Sequence, residues 1–308
     1  MVQTTRAFHR ALHRYAVFTA CCTLVLLVAG ALVTSNDAAL SVPDWPLSYG
    51  SLTPPMIGGI VYEYSHRLIA ATVGLLTIIL AAWLWRSDDR RWVRWLGLGA
   101  LVAVVAQGIL GGLTVLLNLH YGIPVAHACL GQLFFGTVIG LSVFTSRWWR
   151  SDLPEVEDRG SPSIHTVASV NVGVIFLQVV FGAAFRHRDI SILPHLIGAV
   201  AVLATATWTA VLLRRRFASV GALDTARILL HSVVGVQFLL GIGAWWSRLA
   251  TARAPQPMPV MVALTVTHTV AGALTLACAI VVALLCYRLV ARGREAAYER
   301  RQERAALS

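Results

Sequence analysis

Long apolar stretches separated by short polar segments dominate the 308-residue sequence. A bilayer with a hydrocarbon core of about 30 Å is crossed by a helix of about 20 apolar residues. Eight stretches reach that length, at residues 15–34, 61–85, 95–117, 123–145, 164–185, 191–213, 226–246 and 259–288. The pattern therefore predicts an all-α polytopic membrane protein with eight transmembrane helices.

The distribution of charged residues predicts how these spans are oriented in the membrane. Only 13% of the residues are charged, mean hydropathy is +0.71, and the net charge of +11 comes from arginine, because the chain contains no lysine. The arginines concentrate before the first span, after the second and fourth, between the sixth and seventh, and in the C-terminal tail. By the positive-inside rule both termini are predicted to be cytoplasmic, which an even number of spans satisfies. This distribution argues against a nucleic-acid partner.

All five cysteines fall inside predicted spans, at Cys21, Cys22, Cys129, Cys278 and Cys286. None lies in an outer loop, so no structural disulfide is expected. The first apolar run reaches membrane-spanning length without a small-residue cleavage site. It is therefore predicted to be a first helix and not a removed signal peptide.

An internal repeat relates the two halves of the chain. The third span contains Gln107 followed by Gly-Ile-Leu-Gly-Gly, and the seventh contains Gln237 followed by Phe-Leu-Leu-Gly. These glutamines are 130 residues apart, and His66 and His195, which open the second and sixth spans, are 129 apart. The repeat predicts two pseudo-symmetric four-helix bundles at residues 1–150 and 164–308, the second with a basic cytoplasmic tail, joined by a cytoplasmic linker at 151–163. Close helix packing is the simplest role for the repeated glycines.

One loop breaks this symmetry. Residues 35–59, between the first two spans, are rich in proline, glycine and aromatic residues, whereas the matching loop of the second half is only a few residues long. A long outer loop of this composition is typical of a lid over a site.

Four histidines lie near the outer ends of the even-numbered spans: His66, His127, His195 and His268. One such histidine would be explained as a neutral core residue bonded to a backbone carbonyl. Four at matching positions in two repeats favour a function, because ionisable groups in membranes are costly and usually functional. Two histidines per bundle are enough to ligate one haem iron from both sides, so two haem sites are predicted.

Glu63 lies three residues before His66, on the same face of the predicted helix, and Ile192 takes its place before His195. A carboxylate beside only one of the two sites indicates that the sites have different tasks. Simple pairing of Glu63 with Arg67 is the alternative, and spacing alone does not decide between them.

Several of these segments together resemble haem A synthase. They are Val33-Thr34-Ser35, Asp44-Trp45-Pro46-Leu47, Glu63-Tyr64-Ser65-His66-Arg67, the run at 107–115 and the histidines of the fourth, sixth and eighth spans. The resemblance covers about residues 15–288. It implies a bacterial plasma-membrane oxidoreductase that converts the C8 methyl group of haem O to a formyl group, giving haem A for cytochrome oxidase.

The resemblance also implies roles for the site residues. His66 and His127 match the ligands of the substrate haem O, Glu63 matches the essential carboxylate, and His195 and His268 match the ligands of a resident haem b. The implied partners are the lipid bilayer, the synthase that supplies haem O and an unknown electron-transfer partner, and a homo-oligomer stays open. The haem propionates have Arg67, Arg186, Arg188, Arg248 and Arg253 as candidate partners.

One departure from the family concerns the first outer loop. Many bacterial members carry two cysteines there, and Ser41 and Ser48 stand at those places in this chain. The loop therefore resembles that of the cysteine-free members, and a disulfide in it is excluded. The competing functions are a dihaem b-type cytochrome that exchanges electrons with quinol, a haem carrier and a purely structural membrane protein, none of which requires Glu63.

Overall fold

A computed structural model describes residues 9–151 and 153–292. Eight long helices cross from end to end of the molecule, and each is long and apolar enough to span a membrane. They are α1 (Arg10–Ser35), α2 (Gly59–Ser87), α3 (Arg91–Leu116), α4 (Ile123–Thr145), α6 (Ile164–Arg186), α7 (Leu193–Phe217), α8 (Gly221–Ala250) and α9 (Pro259–Leu289), with a short α5 (Arg147–Arg150). The predicted all-α polytopic fold with eight spans is confirmed. Arg6 and the basic tail after residue 292 lie outside the described residues.

The eight spans pack as two groups of four. Helices α1 to α4 contact one another in sequence, with α4 returning to α1, and α6 to α9 repeat this arrangement. The groups meet through α1, α4, α6 and α9. Each group has its own apolar core, for example around Val73 and Phe134 in the first and around Ile175 and Leu230 in the second. This packing agrees with the two predicted bundles, whose boundaries stay a prediction.

Outward-facing apolar side chains complete the picture of a lipid-embedded protein. Val102 is 62% exposed and Leu239 is 68% exposed, although both lie in the middle of long helices. Such surfaces are unfavourable in water and favourable against lipid chains. The chain is therefore a multi-pass membrane protein.

A buried ionic cluster joins helices at the end opposite the 35–59 loop. Asp88, which follows α2, accepts hydrogen bonds from Arg90 at 2.8 Å and from Arg150 at 2.5 Å. Burial raises the pKa of Asp88, but the hydrogen bonds from Arg90 and the charges of Arg90 and Arg150 outweigh that effect, so the pKa lies below its usual value. The cluster thereby ties the α2–α3 turn to α5.

The segment predicted as a polar linker, 151–163, is more structured than expected. Its residues Val156–Asp158 form strand β1, which pairs in parallel with strand β2 (Val290–Arg292) directly after α9. The carboxylate of Asp158 accepts from the backbone N–H of Ile164 at 2.6 Å and thereby fixes the start of α6. Sequence pattern missed this pairing because strands of three residues carry no detectable period.

Candidate functional site

The four predicted histidines lie at one end of the molecule, within the first three turns of α2, α4, α7 and α9. We call this the outer end, because it carries the 35–59 loop, which the arginine distribution predicts to face outward. Each imidazole is partly buried in its bundle. His66 and His127 share the first bundle and are close enough to interact electrostatically.

Every one of these rings lies against a glycine of the preceding spanning helix. A methyl group added at Gly30, Gly111, Gly182 or Gly241 would lie 3.1, 3.3, 3.0 or 3.0 Å from Cε1 of His66, His127, His195 or His268, respectively. Contacts that short are tighter than ordinary van der Waals contact, so a helix with a side chain there would displace the ring. The predicted packing role of these glycines is thus a specific one, and their partner is the histidine ring.

Glutamine side chains fix the backbone at two of the histidines. Gln107 donates from Nε2 to the carbonyl of His127 at 2.9 Å, and Gln178 donates in the same way to His195 at 2.8 Å. The repeated Gln-x-x-x-Gly spacing in the sequence was the available signal for this contact. It positions the glycine and the glutamine on one helix face, one turn apart.

One nitrogen of each histidine ring, Nδ1, is buried in the described part of the protein. These Nδ1 atoms form no hydrogen bond of ordinary geometry with the described residues, although backbone groups of Leu26, Gln107, Gln178 and Gln237 lie close to the four rings. Buried polar atoms are normally bonded, so four matching exceptions require an explanation. Ligation of a metal centre by these imidazoles provides one.

The spacing in the second bundle tests whether a haem iron fits. The ring centroids of His195 and His268 are 6.2 Å apart, with the ring planes at 90°. With metal–nitrogen bonds of about 2.0–2.1 Å, two imidazoles on opposite sides of one metal ion place their centroids about 6.3 Å apart. The spacing of these two rings is therefore compatible with one metal ion, such as a haem iron, bound between them.

Glu63 lies one helical turn before His66 and is only 4% exposed. Its Oε1 is 2.7 Å from Nη2 of Arg67, and its Oε2 accepts from the backbone N–H of Val42 at 2.9 Å. The ion pair that the sequence offered as an alternative is therefore present. A carboxylate has about four lone-pair positions, so these contacts leave acceptor capacity free.

Arg67 fastens the first outer loop to α2. Its guanidinium donates to the carbonyls of Val42, Asp44 and Leu47 at 3.1, 2.8 and 3.0 Å. The predicted lid is thus a folded segment held at the outer end of the first bundle. Sequence reasoning missed this role of Arg67, because it depends on the path of a loop about 20 residues away.

Two further contacts shape the same loop. The carboxylate of Asp44 accepts from the N–H groups of Gly50 and Tyr49, and these bonds lower the pKa of Asp44. The ring of Trp45 lies against Gly112 of α3, where an added methyl group would come within 2.6 Å of it. The loop therefore closes on α3 as well as on α2.

The outer arginines divide into two sets. Arg67 is committed to the loop, and Arg186 donates to the carbonyl of Thr34 at 2.7 Å, which links the two bundles. Within residues 9–151 and 153–292, Arg188, Arg248 and Arg253 form no ion pair or side-chain hydrogen bond. Of the five predicted propionate partners, these three are the uncommitted ones. His187, directly after α6, lies near His127, and burial lowers the pKa of His187.

Comparison with known proteins identifies the relatives of this chain. Residues 59–193 match the COX15-CtaA family, described as cytochrome oxidase assembly protein. The haem A synthase of Alkalihalophilus pseudofirmus is 36% identical over 139 residues, which are 44% of this chain and 46% of that protein. The haem A synthase of Lysinibacillus sphaericus is 32% identical over 189 residues, 60% of this chain and 61% of that protein.

The matched stretch spans about half the length of these relatives. Glu63, His66 and His127 lie inside the family match, whereas His195 and His268 lie beyond its last residue. The match begins where the α1–α2 loop ends and covers α2, α3, α4 and α6. Over residues 59–193 the chain is similar to the COX15-CtaA family of cytochrome oxidase assembly proteins, and the relatives that it resembles over an overlapping stretch are haem A synthases.

Proposed function

We propose that this protein is a haem A synthase, an oxidoreductase that converts the C8 methyl group of haem O to a formyl group. The observation that carries the proposal is the buried carboxylate of Glu63, one turn before His66 under the folded loop. The second bundle has Ile192 at the matching position. A dihaem cytochrome that only transfers electrons has no use for this difference.

The two bundles would hold two haems with different tasks. His66 and His127 bind the substrate haem O, and His195 and His268 bind a resident haem b. A haem b bound there would supply one-electron redox chemistry, and His195, His268 and the burial of the site would tune it. The 6.2 Å separation of the His195 and His268 rings supports this assignment.

The reaction defines what the first bundle must provide. Oxidation of a methyl to a formyl group adds one oxygen atom, and with water as its source it releases four protons and four electrons. The electrons pass to an electron-transfer partner, and the protons need an acceptor beside the methyl carbon. Glu63 lies in the right bundle for this work, either as a base or as a fixed negative charge that stabilises positive charge developing at that carbon. Arg67 and the N–H of Val42 hold its carboxylate in place.

The membrane setting completes the proposal. We place the protein in the bacterial plasma membrane with both termini in the cytoplasm and the histidine sites near the outer face. Arg90, Arg150 and Arg216 lie at the end opposite the histidines, as the positive-inside rule requires. Haem O reaches the protein from the synthase that supplies it, within the same bilayer.

Haem extraction and chromatography test this function directly. Membranes from a host that supplies haem O are compared with and without the protein. Haem A in the membranes that contain the protein is the expected result. Bound haem b with unaltered haem O, in a host where a known synthase works, would instead favour the electron-transfer cytochrome.

A further inference from the structure

A lipid-facing groove runs between α1 and α2 beside the proposed substrate site. It encloses about 290 Å³, at the lower end of the range of about 300–1,000 Å³ for small-molecule pockets. Its walls are apolar apart from two hydroxyl side chains. The residues that matter here are Val25, Ala29 and Leu32 of α1 and Tyr62, Ser65 and Ile69 of α2.

The groove lies beside the His66 ring, because its lining residues are neighbours of His66 and of Gly30. Ala29 immediately precedes Gly30, the glycine against which the His66 ring lies. Tyr62 and Ile69 stand four residues before and three residues after His66, so they flank it on the same side of α2. On its other side the groove opens outward, where Val25 is 55% exposed. A ligand held at His66 could therefore extend a substituent through the groove toward lipid.

The second bundle has this position filled. Ala29 corresponds to Phe181, which immediately precedes Gly182 at the His195 ring. Ile69 corresponds to Gly198, three residues after His195. The ring of Phe181 lies 3.3 Å from a methyl group placed on Gly198, so it bridges α6 and α7 where the first bundle has its groove. The residues that precede the other two histidine-facing glycines are also large, Leu110 and Leu240.

The two proposed haems differ in the same way as the two bundles. Haem O carries a long isoprenoid chain on a hydroxyl-bearing carbon at the edge of its ring, and haem b has only a vinyl group there. We infer that the α1–α2 groove binds the isoprenoid chain of haem O, and that Phe181 denies that chain a place in the second bundle. This inference rests on the proposed function.

The groove contains polar groups that can bind the hydroxyl group at the base of the isoprenoid chain of haem O. The hydroxyls of Tyr62 and Ser65 have no hydrogen-bond partner in the described part of the protein. Either hydroxyl can bond to the hydroxyl next to the haem ring. Because lipid tails are as apolar as the groove, the preference for haem O arises from shape and this hydrogen bond, and not from transfer out of water.

Substitution of Ala29 tests the inference. Ala29→Phe installs the residue of the second bundle, and Ala29→Leu installs the residue found before Gly111 and Gly241. Val102→Phe, at a lipid-facing position of α3 that is 62% exposed, is the matched control. Each full-length protein is purified from a host that makes haem O and haem b, and its haems are extracted and quantified by chromatography. Turnover of haem O is measured separately.

We expect both Ala29 variants to keep their haem b. Their content of bound haem O should fall about tenfold, because that is roughly the effect on affinity of losing one ordinary packing contact or hydrogen bond. The control should keep both haems. An unchanged haem b spectrum shows that a variant is folded. If Ala29→Phe does not fold, Ala29→Leu still provides the test. Wild-type haem O content and turnover in both Ala29 variants would overturn the groove assignment and leave the synthase intact. Loss of haem O from the variants, with no haem A made by the wild type, would instead overturn the synthase.

Discussion

Replacing Gly112 with alanine tests whether the first outer loop is held against α3. The added methyl group would lie 2.6 Å from the Trp45 ring, whereas ordinary contact begins at 3.4 Å, so the ring must retreat by about 0.8 Å. Trp45 follows Asp44, whose carbonyl accepts from Arg67 at 2.8 Å. If the loop backbone moves with the ring by the same distance, this bond is stretched beyond hydrogen-bond distance. Loss of one bond to a charged group costs about 1.5–3 kcal/mol.

The helix itself should tolerate this change. Alanine is favoured over glycine in a helix interior by about 0.5–1 kcal/mol, so α3 is not weakened. The expected effect is therefore local, a loop that opens roughly 10–100 times more often.

Amide hydrogen exchange measures this opening. The N–H groups of Val42, Tyr49 and Gly50, which are bonded to Glu63 or Asp44 in the closed loop, should exchange about 10–100 times faster in Gly112→Ala. Formation of haem A should fall, while the spectrum of the haem in the second bundle stays unchanged. Gly108→Ala is the matched control in the same helix, because, apart from the helix's own backbone, no described atom lies within 4 Å of a methyl group on Gly108. Unchanged exchange at these amides in Gly112→Ala would refute the account of the loop.

Three further substitutions test the rest of the site and the fold. Glu63→Gln keeps the size of the side chain and removes its charge, so haem A formation should fall by at least about 100-fold with haem still bound; normal turnover would reduce Glu63 to a structural partner of Arg67. His268→Ala should remove the low-spin haem absorbance of the second bundle, whereas His231→Ala, in the half of α8 away from the histidine sites, should not; an unchanged spectrum in the first variant would contradict the ligand assignment. The pKa of Asp88 is lowered in the folded protein, so its contribution to stability is present above the unfolded-state pKa and is lost as pH falls through the folded-state pKa. Asp88→Asn should therefore be less stable near neutral pH and lose less stability on acidification than the wild type, as thermal unfolding in detergent would measure; equal pH dependence of the two proteins would show that Asp88 is not the group responsible.

The spans were predictable because the bilayer imposes a length on every crossing. The fourth span was predicted at residues 123–145, and α4 is Ile123–Thr145. Several errors lie at helix ends that carry arginines. Helix α1 starts at Arg10, five residues before the predicted start, and α7 continues through Arg214, Arg215 and Arg216 to Phe217. Hydropathy ends where charge begins, whereas the helical hydrogen bonds continue into the interfacial region.

The site was predictable in its residue types and less so in its contacts. Repetition at matching depths singled out the four histidines, and the repeat also placed a glycine near each of them. It could not show that each glycine touches a histidine ring, because that depends on how α1 sits against α2 and α6 against α7. The hydrogen bonds from Arg67 to the 35–59 loop could not be predicted from the sequence for the same reason. Such contacts join residues that no local pattern relates.

The resemblance between the bundles makes their differences informative. Both bundles hold two imidazoles against glycines, so the shared scaffold accounts for the two proposed haem sites and does not explain which of the two haems would be the substrate. Three differences fall in the first bundle: Glu63 in place of Ile192, Ala29 in place of Phe181, and a loop fastened by Arg67. Each provides something that a substrate requires and a resident cofactor does not, namely a reacting group, room for a substituent and a cover that can open. A chain that only conducted electrons between two haems would have no need to place all three on the same side of its symmetry axis.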